Sequence, residues 1–158
     1  MIGGSDMGFF KKLKEIRNNA NKLNNRGIEL GATDSITLIH DEGLPIAVKT
    51  LCKIFLCSDK LVICTLGAEF NIKLHQINNS EIISTNGIKD KSGRFIENSQ
   101  IKKGEKTVQT FHFVINYTNS NNEISNVVLN SGYDFLTSNK FSEKLNSLLT
   151  NKNTIIDL

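Results

Sequence analysis

The sequence predicts a mainly β, α+β fold: six or seven antiparallel strands form a meander or partly open barrel, preceded by an amphipathic helix and capped by a C-terminal helix. Three observations predict it. Apolar and polar residues alternate in short runs over residues 50–129, the period of half-buried strands. Apolar residues recur every three or four positions near both ends of the chain, as in amphipathic helices. The 158 residues are enough for one domain with its own core.

The first helix is predicted over residues 8–26, and Gly27 is its predicted end. The polar side of this helix is basic, with six cations against the single carboxylate of Glu15. Two interpretations are open: the apolar stripe packs on the domain or on a second copy, or the helix lies on an anionic membrane surface. The stripe consists of Phe9, Leu13, Ile16, Ala20 and Leu23.

The strands follow a turn at residues 40–45, which contains the only proline of the chain. Phe70, Ile72 and Leu74 alternate with polar residues and are expected to face the interior. Before them, residues 36–39 are expected to form a short strand or an extended lead-in. The other strands are predicted at residues 51–57, 61–66, 69–77, 107–117 and 123–129.

Residues 78–106 are rich in Gly, Asn, Ser and Lys, and predict a long hairpin loop or excursion in which Ile82 and Ile83 could form a further strand. The C-terminal helix has Thr137 or Ser138 as its expected cap. The domain organisation is thus an N-terminal segment at 1–26, a β-domain at 27–150 and a tail at 151–158. The apolar face of the C-terminal helix consists of Phe141, Leu145, Leu148 and Leu149.

The run HDEGLPIAVKTLCKIFLCSDKLVI at residues 40–63, followed by FNIKL, resembles bacterial pleckstrin-homology-like (PH-like, GRAM-like) domains. The resemblance covers residues 36–149 and implies a binding scaffold without chemistry of its own. Many members carry a Gly/Ala-rich apolar insertion between the middle strands, where this chain has a polar, basic segment. The residues that carry the resemblance, besides the closing helix, are Gly43, Leu44, Pro45, Cys52, Leu56, Lys60, Leu61 and Phe70.

The resemblance also bears on the ligand. Lipid-binding PH-like domains use several cations in the first hairpin, because a phosphorylated headgroup needs converging positive charges. Here that hairpin offers only Lys53 and Lys60 beside Asp59, so phosphoinositide binding is not expected.

Composition narrows the classes of partner and compartment. A net charge of +3 does not indicate a nucleic-acid binder. No segment is apolar enough to span a bilayer and no secretory signal is evident, so a cytoplasmic protein is expected. The 20 asparagines, with frequent Lys and Ile, suggest an AT-rich bacterial or phage genome. Cys52, Cys57 and Cys64 lack a CxxC spacing and are expected to be small buried hydrophobes in a reducing compartment.

The residue pattern does not predict catalysis, a metal site or a cofactor. His40, His75 and His112 are scattered, and the last two are expected on the outer face of their strands. Asp41 and Glu42 are adjacent in a predicted turn, an arrangement typical of a solvated turn. No glycine-rich loop joins a strand to a helix, as phosphate binding would need.

Two features are candidate binding sites. Phe55 alternates with inward residues, so it should lie on the outer face of the sheet, covered by the N-terminal helix or by a partner. The loop at 86–106 has six cations against three carboxylates, with two apolar residues at its centre. The candidate residues of this loop are Lys89, Lys91, Arg94, Phe95, Ile96, Lys102 and Lys103.

The leading functional hypothesis is a non-catalytic PH-like module of a bacterium or phage that acts through protein–protein contacts, with self-association through the N-terminal helix. A second hypothesis is peripheral membrane attachment through that helix and the 86–106 loop. A third is a phage-encoded inhibitor of a host defence protein, suggested by small size and composition alone.

Overall fold

The structure is a computed structural model that describes residues 4–89, 95–97 and 106–152. Within these residues, eight strands form one open antiparallel sheet, in the order β4-β3-β2-β1-β8-β7-β5-β6. The elements in chain order are α1 (Gly4–Glu29), β1 (Asp34–Glu42), β2 (Leu51–Leu56), β3 (Lys60–Cys64), β4 (Glu69–Lys73), a 3-10 turn (Leu74–Gln76), β5 (Ile77–Lys89), β6 (Phe95–Glu97), β7 (Lys106–Thr118), β8 (Ile124–Gly132) and α2 (Phe135–Lys152).

The predicted fold class is confirmed. Strands β1 to β4 form one meander, β5, β7 and β8 form another, and pairing of β1 with β8 joins the two. The architecture, with a helix at each end, is consistent with a PH-like open barrel. The described strands number one more than predicted because the three-residue β6 pairs with the end of β5.

The main core lies inside the curved sheet and is closed by α2. The predicted face of this helix is buried at Phe141, Leu145 and Leu149, and the ring of Phe141 meets that of Phe113 edge-on at 5.8 Å. Burial of such side chains is the dominant stabilising term of a domain. The predicted inward residues Ile72 and Leu74 are also in this core, with Phe70 packed against it.

A buried polar contact fixes α2 on β5. Asn146 accepts a hydrogen bond from the Ser80 N–H at 2.8 Å and donates one to the Ser80 carbonyl at 2.9 Å. The hydroxyls of Ser80 and Ser142 lie 2.7 Å apart. Because buried polar groups are costly unless paired, these bonds specify the register of the helix along the strand.

A second, smaller core lies on the opposite, outer face of β2 and β3. It consists of Phe55, Cys57, Val62 and Cys64, and we call it the small core. The C-terminal half of α1 and the turn after it cover this core: Leu23 of the helix, and Leu30 and Ala32 just beyond its end, pack against these side chains. Phe55 is therefore on the outer face, as predicted, and α1 covers it, leaving it 3% exposed.

Gly27 lies at the closest approach of α1 to the sheet. A β-carbon at this position would lie 2.5 Å from the ring of Phe55, closer than real contacts allow. Gly27 is thus needed for close packing, and its predicted role as the helix end is wrong. The helix ends in a Schellman motif at Gly31, which has φ 67°. In this motif Gly31 N–H donates to the Ile28 carbonyl at 3.1 Å and Ala32 N–H to that of Gly27 at 3.0 Å.

Three other predicted boundaries are wrong for identifiable reasons. The strand predicted at 69–77 breaks into the 3-10 turn, where Gln76 accepts a bond from Lys73 N–H and donates to the Thr118 carbonyl. The loop predicted from residue 78 is a strand to Lys89, paired along its length with β7. The α2 cap is Asp134, which accepts a bond from Thr137 N–H at 3.1 Å.

We expect Gly27→Ala to lower the free energy of unfolding by roughly 1–3 kcal/mol through overpacking against Phe55. Alanine is intrinsically better than glycine in a helix, so this loss would oppose the helix propensity. Gly8→Ala is the matched control, since nothing lies within 4 Å of a β-carbon there, and it should be neutral or slightly stabilising. Urea unfolding of the full chain measures both; equal behaviour of the two variants would contradict the close contact.

Candidate functional site

The two halves of α1 have different surroundings. The C-terminal half covers the small core, whereas residues 8–17, which we call the exposed half of α1, have their apolar side chains in solvent. Exposure there is 61% for Phe9, 68% for Phe10, 44% for Leu13 and 58% for Ile16. Three of these belong to the predicted stripe. Phe10 was not predicted, because it lies about 100° around the helix from Phe9.

An apolar groove adjoins the exposed half of α1. We call it the contact groove; it has a volume of about 480 Å³ and lies between α1 and the outer face of the sheet. Its apolar lining comes from Ile16, Ala20 and Leu23 on the helix, from Leu51 at the start of β2 and from Leu66 in the β3–β4 turn, with Lys53 also in the lining. Leu51 and Leu66 are exposed large hydrophobic residues, which adds apolar surface to that of the helix.

An ion pair fixes the docked half of α1 to the edge strand β4. The Arg26 guanidinium binds Glu69 through two bonds, Nε to Oε1 at 2.7 Å and Nη2 to Oε2 at 2.9 Å. It also contacts Glu29 at 3.1 Å. The bonds from Arg26 hold the pKa of the Glu69 carboxyl below its ordinary value. This bidentate geometry fixes the rotation of α1 about its axis as well as its position.

The cysteines are buried, as predicted. Cys52 lies in the main core and the other two in the small core, so Cys52 and Cys57 point to opposite faces. Burial, together with a bond from Cys64 Sγ to Glu69 Oε1 at 3.5 Å, raises the pKa of the Cys64 thiol to about 12. Burial also raises the pKa values of Cys52 and Cys57. A raised thiol pKa is typical of an inert structural cysteine rather than a nucleophile.

The side chain of His40 has structural partners. His40 is buried and organises the GLP turn: its Nε2 accepts a bond from Leu44 N–H at 3.2 Å, and its Nδ1 lies 3.1 Å from the Ala47 carbonyl. In the same turn Gly43, with φ 102°, abuts the Asn126 carbonyl so closely that a β-carbon would overlap it. The GLP motif thus packs the β1–β2 loop onto β8.

The other two histidines have surroundings different from those of His40. His112 is on the outer face of β7, as predicted, with Nε2 3.0 Å from Asp41 Oδ2. Asp41 and Glu42 belong to β1 and not to a turn, so that prediction is wrong. His75 is exposed in the 3-10 turn, not on a strand. In the described part of the chain, no three His, Cys, Asp or Glu side chains are grouped so as to hold a metal ion.

The basic loop predicted at 86–106 is placed only in part. Lys89 is the last residue of β5. Phe95 and Ile96 belong to β6, which pairs with this end of β5. Lys91, Arg94, Lys102 and Lys103 lie outside the described residues. Among the described helices, none is both long and apolar enough to cross a bilayer.

We expect Leu23→Asn to increase alkylation of Cys57 and Cys64 roughly 5–30-fold, because loss of one or two kcal/mol from α1 docking shifts the opening equilibrium by that factor. Cys52 is an internal control, since it lies in the main core and should stay protected. Leu13→Asn is the matched control on the exposed half of α1. Peptide mapping by mass spectrometry after alkylation measures all three sites, and unchanged labelling of Cys57 and Cys64 would contradict shielding by α1.

Comparison with protein-family models and with characterised proteins finds no match for this chain. Family membership through the PH-like resemblance therefore stays a prediction. The functional inference rests on the exposed half of α1 and the contact groove beside it.

Proposed function

We propose that the chain is a non-catalytic, PH-like contact module whose working surface is the exposed half of α1 together with the contact groove. One observation carries the proposal: a helix anchored at one end leaves its apolar stripe in solvent at the other. Exposed apolar patches of this kind commonly mark protein-contact sites. The surroundings of the histidines and cysteines support a non-catalytic role, because His40, His112 and Cys64 have structural partners.

A second copy of the chain is the first protein partner to test. The stripe of Phe9, Leu13 and Ile16 has the apolar character and spacing that a groove lined by Leu51 and Leu66 would accept. The same surface on two copies would form a self-complementary, two-fold interface. Charge opposes this contact, because the exposed half of α1 carries four cations against one carboxylate in each copy.

This opposition gives self-association a characteristic salt dependence. Salt screens the repulsion between exposed cations, with a Debye length of about 10 Å at 0.1 M and about 3 Å at 1 M. Apolar burial is not weakened by the same ions. Association of two copies through α1 should therefore strengthen as the salt concentration rises.

We expect light scattering of the full chain at increasing concentration to give a mass above the 17.6 kDa of one chain, more so at high salt. Leu13→Asn combined with Ile16→Asn should return it to one chain. Ile124→Asn is the control, because Ile124 is also exposed, at 82%, but lies at the start of β8. A single-chain mass for the unmodified protein under all these conditions would remove the second copy as a partner, and an oligomer unaffected by the double variant would remove this surface.

A further inference from the structure

The cations of the exposed half of α1 are arranged around its apolar side chains. At about 100° of rotation per residue, Phe9, Phe10, Leu13 and Ile16 span an arc of about 120°. This arc is wider than the seam of a two-stranded coiled coil. It is wide enough for the apolar face of a helix that lies on a membrane surface.

Two of the three lysines of the exposed half flank this arc, whereas Lys11 lies on the opposite side of the helix. Lys12 and Lys14 lie about 100° to either side of its centre, and Arg17 lies at its C-terminal end. The one carboxylate of this half, Glu15, lies on the opposite side of the helix. The ion pairs among the described residues involve none of these cations. Positive charge therefore borders the apolar arc without a partner in the chain that the structure describes.

We infer that the exposed half of α1 binds an anionic membrane surface, with the four apolar side chains at the acyl boundary and the flanking lysines at the headgroups. Long lysine side chains can extend along apolar surface and keep their ammonium groups in water. Charge complementarity selects this occupant, because the cations that oppose a second copy attract an acidic lipid surface. The inference goes beyond the proposed protein contact and does not require self-association.

The docked half of α1 supports this use. Leu23, Gly27 and the Arg26–Glu69 ion pair hold the helix on the sheet, so the exposed half is a continuation of an already folded helix. Free interfacial peptides lose conformational entropy when they become helical at the membrane. A helix that is already formed avoids most of that loss, which favours binding by only two to three turns.

The test is sedimentation of the full chain with vesicles of phosphatidylcholine alone or of equal parts phosphatidylcholine and phosphatidylglycerol. We expect binding to the anionic vesicles in low-salt buffer, little binding to the neutral ones, and loss of binding at 1 M salt, where the Debye length is about 3 Å. Lys12→Gln with Lys14→Gln should weaken binding on the order of 30-fold, at the usual contribution of a cation near an anionic surface.

Matched variants separate this site from general basicity. Lys73→Gln with Lys140→Gln removes the same charge from exposed lysines on β4 and α2 and should bind as the unmodified chain does. Phe9→Ser with Phe10→Ser tests the apolar arc and should also weaken binding. The inference is overturned by equal binding to both vesicles, by retained binding in the Lys12/Lys14 or Phe9/Phe10 variant, or by no binding at all.

Light scattering without lipid distinguishes failure of this inference from failure of the proposed protein contact. In light scattering without lipid, the Lys12/Lys14 variant should associate with itself more strongly than the unmodified chain, because like charges have been removed. An oligomer without vesicle binding would overturn the membrane inference and support the protein contact. Vesicle binding by a chain that remains monomeric in solution would support the membrane inference and overturn self-association.

Discussion

The packing of α1 against Phe55 is the contact that determines how the N-terminal helix lies on the sheet. A sheet with one polar face needs cover on one side only, but here β2 and β3 are apolar on both faces. The inner face is closed by α2, and the outer face would be open to water without α1. Gly27 brings the helix close enough to exclude solvent from the small core, and this position determines where the remaining turns of the helix extend.

An ion pair fixes the orientation of α1, whereas packing against Phe55 fixes its distance from the sheet. The bidentate Arg26–Glu69 pair joins the helix to β4, and the Cys64 thiol contacts the same carboxylate. Surface ion pairs contribute little to stability as a rule, so this pair matters more for orientation than for free energy. The residue types that often carry reactions, such as His40 and Cys64, here have partners within the fold itself.

Local pattern was enough to predict the fold class, both helices and the alternation in β4, where Ile72 is buried between exposed neighbours. Details decided by distant residues were not predictable. Gly27 and Gly31 are both plausible helix ends, and only the ring of Phe55 distinguishes their roles. The break after Lys73 depends on Gln76, which bonds to Thr118 some 42 positions away.

The candidate site was likewise predicted in part. The residues that α1 contributes to the site could be predicted, because the apolar stripe of α1 is periodic. Leu51 and Leu66 were missed as groove residues, since nothing in their neighbourhoods indicates that the two approach Ile16. The extent of β5 was missed for the same reason: its polar composition is typical of a loop, and pairing with β7 outweighs that tendency.

The continuity of α1 over 26 residues has a mechanical consequence. At about 1.5 Å per residue the helix is a stiff rod of about 39 Å, held near one end and free at the other. A force on the free end of α1 therefore acts on its packing against the small core with leverage. A binding partner that accepts only the docked orientation of α1 stabilises that orientation by mass action, and so keeps Cys57 and Cys64 covered. Conversely, a change that weakens the packing of α1 on the small core must lower the affinity of that partner by the same factor.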